Sequence, residues 1–193
     1  MADLFLTLIR EHGFAEKERA KRILRDSGLS GLLAEISLIQ SPHIKYEYFR
    51  RLILNTSMND AEREKARNQI EEELGHDTEK TAILKTLLLT QQTIRNVDYF
   101  EAFTAQFETI SSDYEKRQAL LFLAALSDAK QEIILKVFEL SAMLPDCGRA
   151  KLLIELAPRC ADNSPLRAAF LETADTILSK EDKEKALNAL EQI

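Results

Sequence analysis

Tryptophan is absent from this sequence, and glycine occurs five times, proline four, histidine three and cysteine twice. So few glycines and prolines leave little material for the tight turns of an all-β protein. There is no Gly-rich phosphate loop and no GxSxG nucleophile elbow. Cys147 and Cys160 form neither a CxxC pair nor a zinc spacing; two buried free thiols in a reducing cytoplasm are expected. No run of about eighteen apolar residues offers a membrane span. A formal charge of -6 disfavours non-specific nucleic-acid binding, which depends on Lys and Arg, and docking on anionic lipid. The opening MADLFLTLIREHG lacks a basic region before its apolar run and a small-residue cleavage site after it, so it is expected to be a short amphipathic helix and not a signal peptide.

What is present favours helices. Of 193 residues, 45% are hydrophobic and 30% charged, and Leu, Ala, Glu and Lys, which lose little rotamer freedom in a helix, dominate. The stretch GHDTEKTAILKTLL, from Gly75, returns as SSDYEKRQALLFLA from Ser111 and LPDCGRAKLLIELA from Leu144, with weaker copies from Gln40 and Leu178. Anchored on Pro42, Asp77, Asp113, Asp146 and Lys180, the copies are 35, 36, 33 and 34 residues apart. A period of that size is produced by stacked helix pairs.

Seven residues after each anchor stand Phe49, Leu84, Leu120, Leu153 and Leu187, and ten after it Leu52, Leu87, Leu123, Leu156 and Leu190. These share one helix face, which Tyr48, Ile83, Ala119, Leu152 and Ala186 at offset six widen. Between the copies lie second helical patterns: Phe100, Phe103, Phe107 and Ile110, then Ile134, Val137 and Phe138, then Leu166, Phe170 and Ile177. Each unit therefore reads as a helical hairpin. Asn59, Asp128 and Ser164 suit N-caps, the last with Pro165 at the first helical position. About eleven or twelve helices fit the length. The expected fold is all-α, a right-handed superhelix of antiparallel helix pairs. Residues 1–27 form an N-terminal capping hairpin, and 28–193 form one continuous array of about five to six units.

On these residues the chain resembles HEAT-like and TPR-like αα-repeat solenoids from about Gly28 onward. The string ISSDYEKRQALL is also similar to repeat units of helical regions appended to bacterial membrane-bound M56-type regulatory proteases, on Ile110, Ser112, Asp113, Tyr114, Glu115, Lys116 and Leu120. No HExxH accompanies them, so the likeness brings no protease activity.

Two metal patterns call for weighing. His43, the doublet His76-Asp77 and Asp146 follow the order of an HD-type metal phosphohydrolase. Asp77 shares its register with Asp113 and Asp146, where no His precedes, and an N-cap carboxylate accounts for all three where a metal accounts for one. Glu73-Leu74-Gly75-His76 imitates a di-iron Glu-x-x-His, but it occurs once, and Gly75 is expected to end the helix between the two ligands. His12, beside Gly13, suits a helix C-terminus. No catalytic constellation and no cofactor is expected.

Three residues after each anchor stand Lys45, Lys80, Lys116, Arg149 and Lys183, a basic column. It is a candidate surface for an acidic peptide or other anionic partner. The alternative, which accounts better for its place at the edge of the apolar face, folds each cation back on the Asp three residues before it. Asn59 to Asp77 is charged on most faces and reads as a solvated outer helix. Tyr46, Tyr48, Phe49, Tyr99, Phe100 and Phe103 could line a groove, but aromatics at helical spacing are usually core. The expected function is a non-enzymatic cytoplasmic scaffold or regulatory module that binds a protein or peptide, without nucleic acid or membrane. The alternative is a small all-α HD-like metal-dependent hydrolase on His43, His76 and Asp77.

Overall fold

The computed structural model describes residues 2–55, 58–90, 98–126 and 131–193. Among them are eleven α-helices, one 3-10 turn and no strand. No described helix is long and apolar enough to cross a membrane. The helices are α1 (Ala2–His12), α2 (Glu16–Ser37), α3 (Pro42–Asn55), α4 (Asp60–Glu73), α5 (Asp77–Thr90), α6 (Asp98–Glu108), α7 (Asp113–Leu126), α8 (Gln131–Leu140), α9 (Asp146–Cys160), α10 (Ser164–Asp175) and α11 (Lys180–Glu191). The 3-10 turn, Ser141–Met143, follows α8.

All five anchors are the first residue of a helix: α3, α5, α7, α9 and α11 begin at Pro42, Asp77, Asp113, Asp146 and Lys180. The offset-six position, which the sequence treats as a flank, is the centre of the buried face. Tyr48, Ile83, Ala119, Leu152 and Ala186 are each 0% exposed. Offset seven is buried in four helices and half-buried at Leu187; offset ten is half-buried only at Leu87. A shift of one residue rotates a helix by about 100°, so the two neighbouring offsets share the contact.

The carboxylates of Asp113 and Asp146 are not N-caps. In α9 the cap is Pro145, in extended conformation and without a side-chain bond, and Asp146 is the first helical residue. In α7 it is Ser112 Oγ, 3.4 Å from the Glu115 N–H, and in α11 Ser179 plays that part. The cap of α10 is likewise Asn163, which accepts the Leu166 N–H at 3.1 Å, so Ser164 and Pro165 stand inside the helix. The sequence fails here by one residue because Ser, Asp and Asn are acceptable both as caps and in the first turn. Asn59 is a cap as expected and forms a capping box with Glu62. Asp128 lies outside the described residues. Helix α4 ends at Glu73, with Leu74 as an extended C-cap, so Gly75 is not the terminating residue.

By its contacts the chain falls into two compact units, 1–99 and 100–193. In the first, α3 is central and touches α1, α2, α4 and α5. Its core includes Leu32, Ile36, Ile39, Tyr48, Phe49 and Leu52. Helix α4 contributes Ala66 and Ile70 to that core and turns most other residues to water, as an outer helix should. In the second unit α9 packs on α7, α10 and α11, and α8 packs on α7 and α10. Phe138 and Phe170 meet edge to face, centroids 6.3 Å apart, at the separation favoured by ring quadrupoles.

Two glycines shape the N-terminal hairpin. Gly13 follows α1 at φ +65°, and a Cβ there would stand 2.6 Å from Ile44 Cδ1. Gly28 breaks the path of α2 at φ 64°, ψ -164°, a region open essentially to glycine alone.

Candidate functional site

The five cations of the basic column are all half-buried, and Lys45, Lys116, Arg149 and Lys183 each reach another element of the chain. Lys45 of α3 pairs with Glu73, the last residue of α4. Burial alone would push the Glu73 carboxyl up, but Lys45 together with hydrogen bonds from Ser37 and Gln69 outweighs it and holds the group below its usual range. Lys116 lies 6.0 Å from the Phe107 ring centroid at the end of α6. Lys183 meets Asp175, the last residue of α10, at 2.8 Å.

Arg149 is the most fully engaged. Its Nη1 donates to Thr176 Oγ1 at 2.7 Å and to the Thr176 carbonyl at 3.2 Å. Its Nη2 reaches the Leu144 and Ala142 carbonyls at 3.0 and 3.2 Å, and Nε the Ser141 carbonyl at 3.3 Å. One guanidinium thus satisfies carbonyls left orphaned where α8 and α10 end. The intrahelical pairing expected with Asp146 is not made. Asp146 Oδ2 instead accepts the Leu178 and Ser179 N–H groups, each at 2.9 Å. Lys80 and Asp77 stand together in the first turn of α5.

His43 lies in the first turn of α3, exposed, its ring centroid 6.3 Å from that of Tyr46. His76 precedes α5, exposed, and its carbonyl accepts the Lys80 N–H at 3.2 Å. Among the described residues no three His, Cys, Asp or Glu are grouped as a metal site requires. His12 is the exposed last residue of α1. Tyr48, Phe49 and Phe103 belong to the core, and Tyr46 is half-buried against it; Tyr99 and Phe100 lie outside the described side chains.

The cysteines differ from expectation. Both lie on α9 and both are free, but Cys147 is exposed while Cys160 is buried. Burial pushes the Cys160 thiol up to about 11, which keeps it protonated and unreactive.

A dense polar cluster has no counterpart among the expectations from sequence. Glu35 of α2 is only 8% exposed. Its carboxylate accepts two bonds from Arg10 of α1, at 3.0 and 3.1 Å, and two from Arg19, at 3.2 and 2.8 Å. Burial opposes ionisation of Glu35, but the two guanidiniums prevail and hold it below the usual carboxylate range. Beside them Tyr48 has a buried hydroxyl with no hydrogen-bond partner, and burial pushes it up to about 12. Arg51 of α3 extends the cluster, 3.2 Å from Glu16. Three of the four bonds fall on Oε1 and one on Oε2, and together they hold α1 to α2. The signal was a glutamate inside the apolar run LLAEISLI, but its partners lie 25 and 16 residues away.

The described residues also form two open grooves of note. One, of about 550 Å³, lies at the α1–α2 turn and is lined by Phe14 and by cations that include Lys21, Arg22 and Arg25. The other, of about 320 Å³, runs between α8 and α10 and is lined by Leu135, Phe138 and Ala169 with the carboxylates Glu139 and Glu172. No protein-family model, no curated protein and no solved structure matches this chain.

Proposed function

We propose that the chain is a non-enzymatic interaction scaffold or regulatory module of the cytoplasm, a HEAT-like α-solenoid that binds a protein or peptide along its surface. The observation that carries this reading is the recurrence of one buried position. Five helices that start 33 to 36 residues apart each bury offset six completely, as stacked units do when each covers the face of its neighbour. Arg149 and Asp146 add ties from α9 to the turn between α10 and α11, a contact between successive hairpins. Such an array offers a long surface made of helix faces and grooves, and binding is the use to which that surface lends itself.

Small-angle scattering tests the architecture. A compact globule of this length has a radius of gyration of about 16 Å; a solenoid is expected to give a clearly larger value and an elongated distance distribution. A compact profile would overturn the solenoid.

A further inference from the structure

We infer that the chain associates head to tail with a second copy of itself, the Phe14 turn of one molecule docking on the α8–α10 groove of the next. The two surfaces differ in the ways that complementarity requires. The backbone at the α1–α2 turn is left-handed at both Gly13 and Ala15, φ 65° and 54°, an arrangement costly for alanine. Between them Phe14 is 65% exposed. The exposed cations Lys21, Arg22 and Arg25 line the same groove as Phe14, with Arg19 and one carboxylate, Glu18. Lys21 stands 4.0 Å from Glu18 and Arg25 pairs with Asp26 at 2.8 Å, so the lining keeps an excess of cations.

The acceptor is built in the opposite sense. Between α8 and α10 the groove combines buried or half-buried Leu135, Phe138 and Ala169 with exposed Glu139 and Glu172; no Lys or Arg lines it, although Lys136 of α8 already meets Glu139 at 2.8 Å. Its volume of about 320 Å³ exceeds the roughly 150 Å³ that admits a benzene ring. The wider charge distribution points the same way: residues 100–193 carry sixteen Asp and Glu against eleven Lys and Arg, whereas residues 1–27 carry six basic against five acidic side chains. An aromatic knob among cations therefore meets an apolar slot edged with carboxylates. Because the two patches are different, every copy offers both, and association extends unless the geometry closes a ring. An acidic peptide or an anionic lipid surface would use the same cations but would have no need of Glu139 and Glu172, and this separates the alternatives.

The inference rests on the interaction reading above by naming one protein partner, and its failure is distinct: monomeric protein would remove it and leave the scattering measurement unaffected. Sedimentation equilibrium of the full chain at low salt is expected to show a mass above 22.0 kDa that rises with concentration and falls back as salt screens the contact. Arg22→Glu with Arg25→Glu, and separately Glu139→Lys with Glu172→Lys, are each expected to stay monomeric. Mixed, the two variants should associate again, since one contact then has its original charges and the other has both signs exchanged. Phe14→Ser, which leaves the charges in place, should weaken association about tenfold, equivalent to ~1.4 kcal/mol. Wild-type protein that remains monomeric overturns the inference, as does either double variant associating like wild type, a mixture that stays monomeric, or Phe14→Ser associating undiminished.

Discussion

Asp146 Oδ2 accepts the backbone N–H of Ser179 at 2.9 Å, so the first residue of α9 secures the turn that leads into α11. The same oxygen takes the Leu178 N–H. Replacement by Ala leaves two donors without a charged acceptor. Because Leu178 is 88% exposed, water can take over part of that role, and a loss of roughly 1–2 kcal/mol is expected. Urea unfolding of Asp146→Ala beside Asp146→Asn measures it, with Asn expected to retain part of the contact.

Glu35 carries a larger share of stability. Glu35→Gln keeps the shape but leaves Arg10 and Arg19 facing a neutral amide in a mostly buried setting. Removal of one partner from such a cluster costs about 3 kcal/mol. Chemical denaturation of the variant would show whether the first unit unfolds earlier.

The same carboxylate gives a pH dependence of definite sign. Its folded value lies below the ordinary one, so the unfolded chain binds the extra proton first as pH falls. The stabilisation is complete above the ordinary value of about 4.3 and is lost as pH drops toward the lowered folded value. Wild-type protein should therefore lose stability on acidification through that window more steeply than Glu35→Gln. Parallel slopes would show that Glu35 does not contribute the difference.

Gly28→Ala probes the bend in α2. Nothing stands within 4 Å of a Cβ built there, so the expected penalty, about 1–3 kcal/mol, comes from backbone conformation alone. Thermal melts of Gly28→Ala and Gly28→Asn check it, and both should lose stability, since the conformation is open to neither residue; an undiminished melting temperature would show that the bend carries no such cost.

The thiols separate by burial. Cys147 should react with a thiol reagent at neutral pH in the folded protein, and Cys160 only after denaturation. They also cannot bridge within one chain, because thirteen helical residues span about 19 Å. Counting reactive thiols before and after unfolding decides the matter.

The sequence by itself determined the helical class, the starts of five helices and the residues that bury. Those properties follow from side-chain spacing along one chain segment, and offsets six, seven and ten stay on one face whatever the segment packs against. The partners of the charged residues were decided only by tertiary structure. Arg149 had Asp146 within reach in its own turn, yet it serves the ends of α8 and α10, because orphaned carbonyls at helix ends need donors, while Asp146 already accepts two backbone N–H groups. Glu35 looked like one polar residue in an apolar run until folding brought Arg10 and Arg19 to it. Cys147 and Cys160, alike in sequence, parted because one is exposed near the start of α9 and the other is buried at its end. Long-range charge pairing, and the burial of residues away from the repeated face, depend on which helices lie side by side, and no local pattern of residues contains that information.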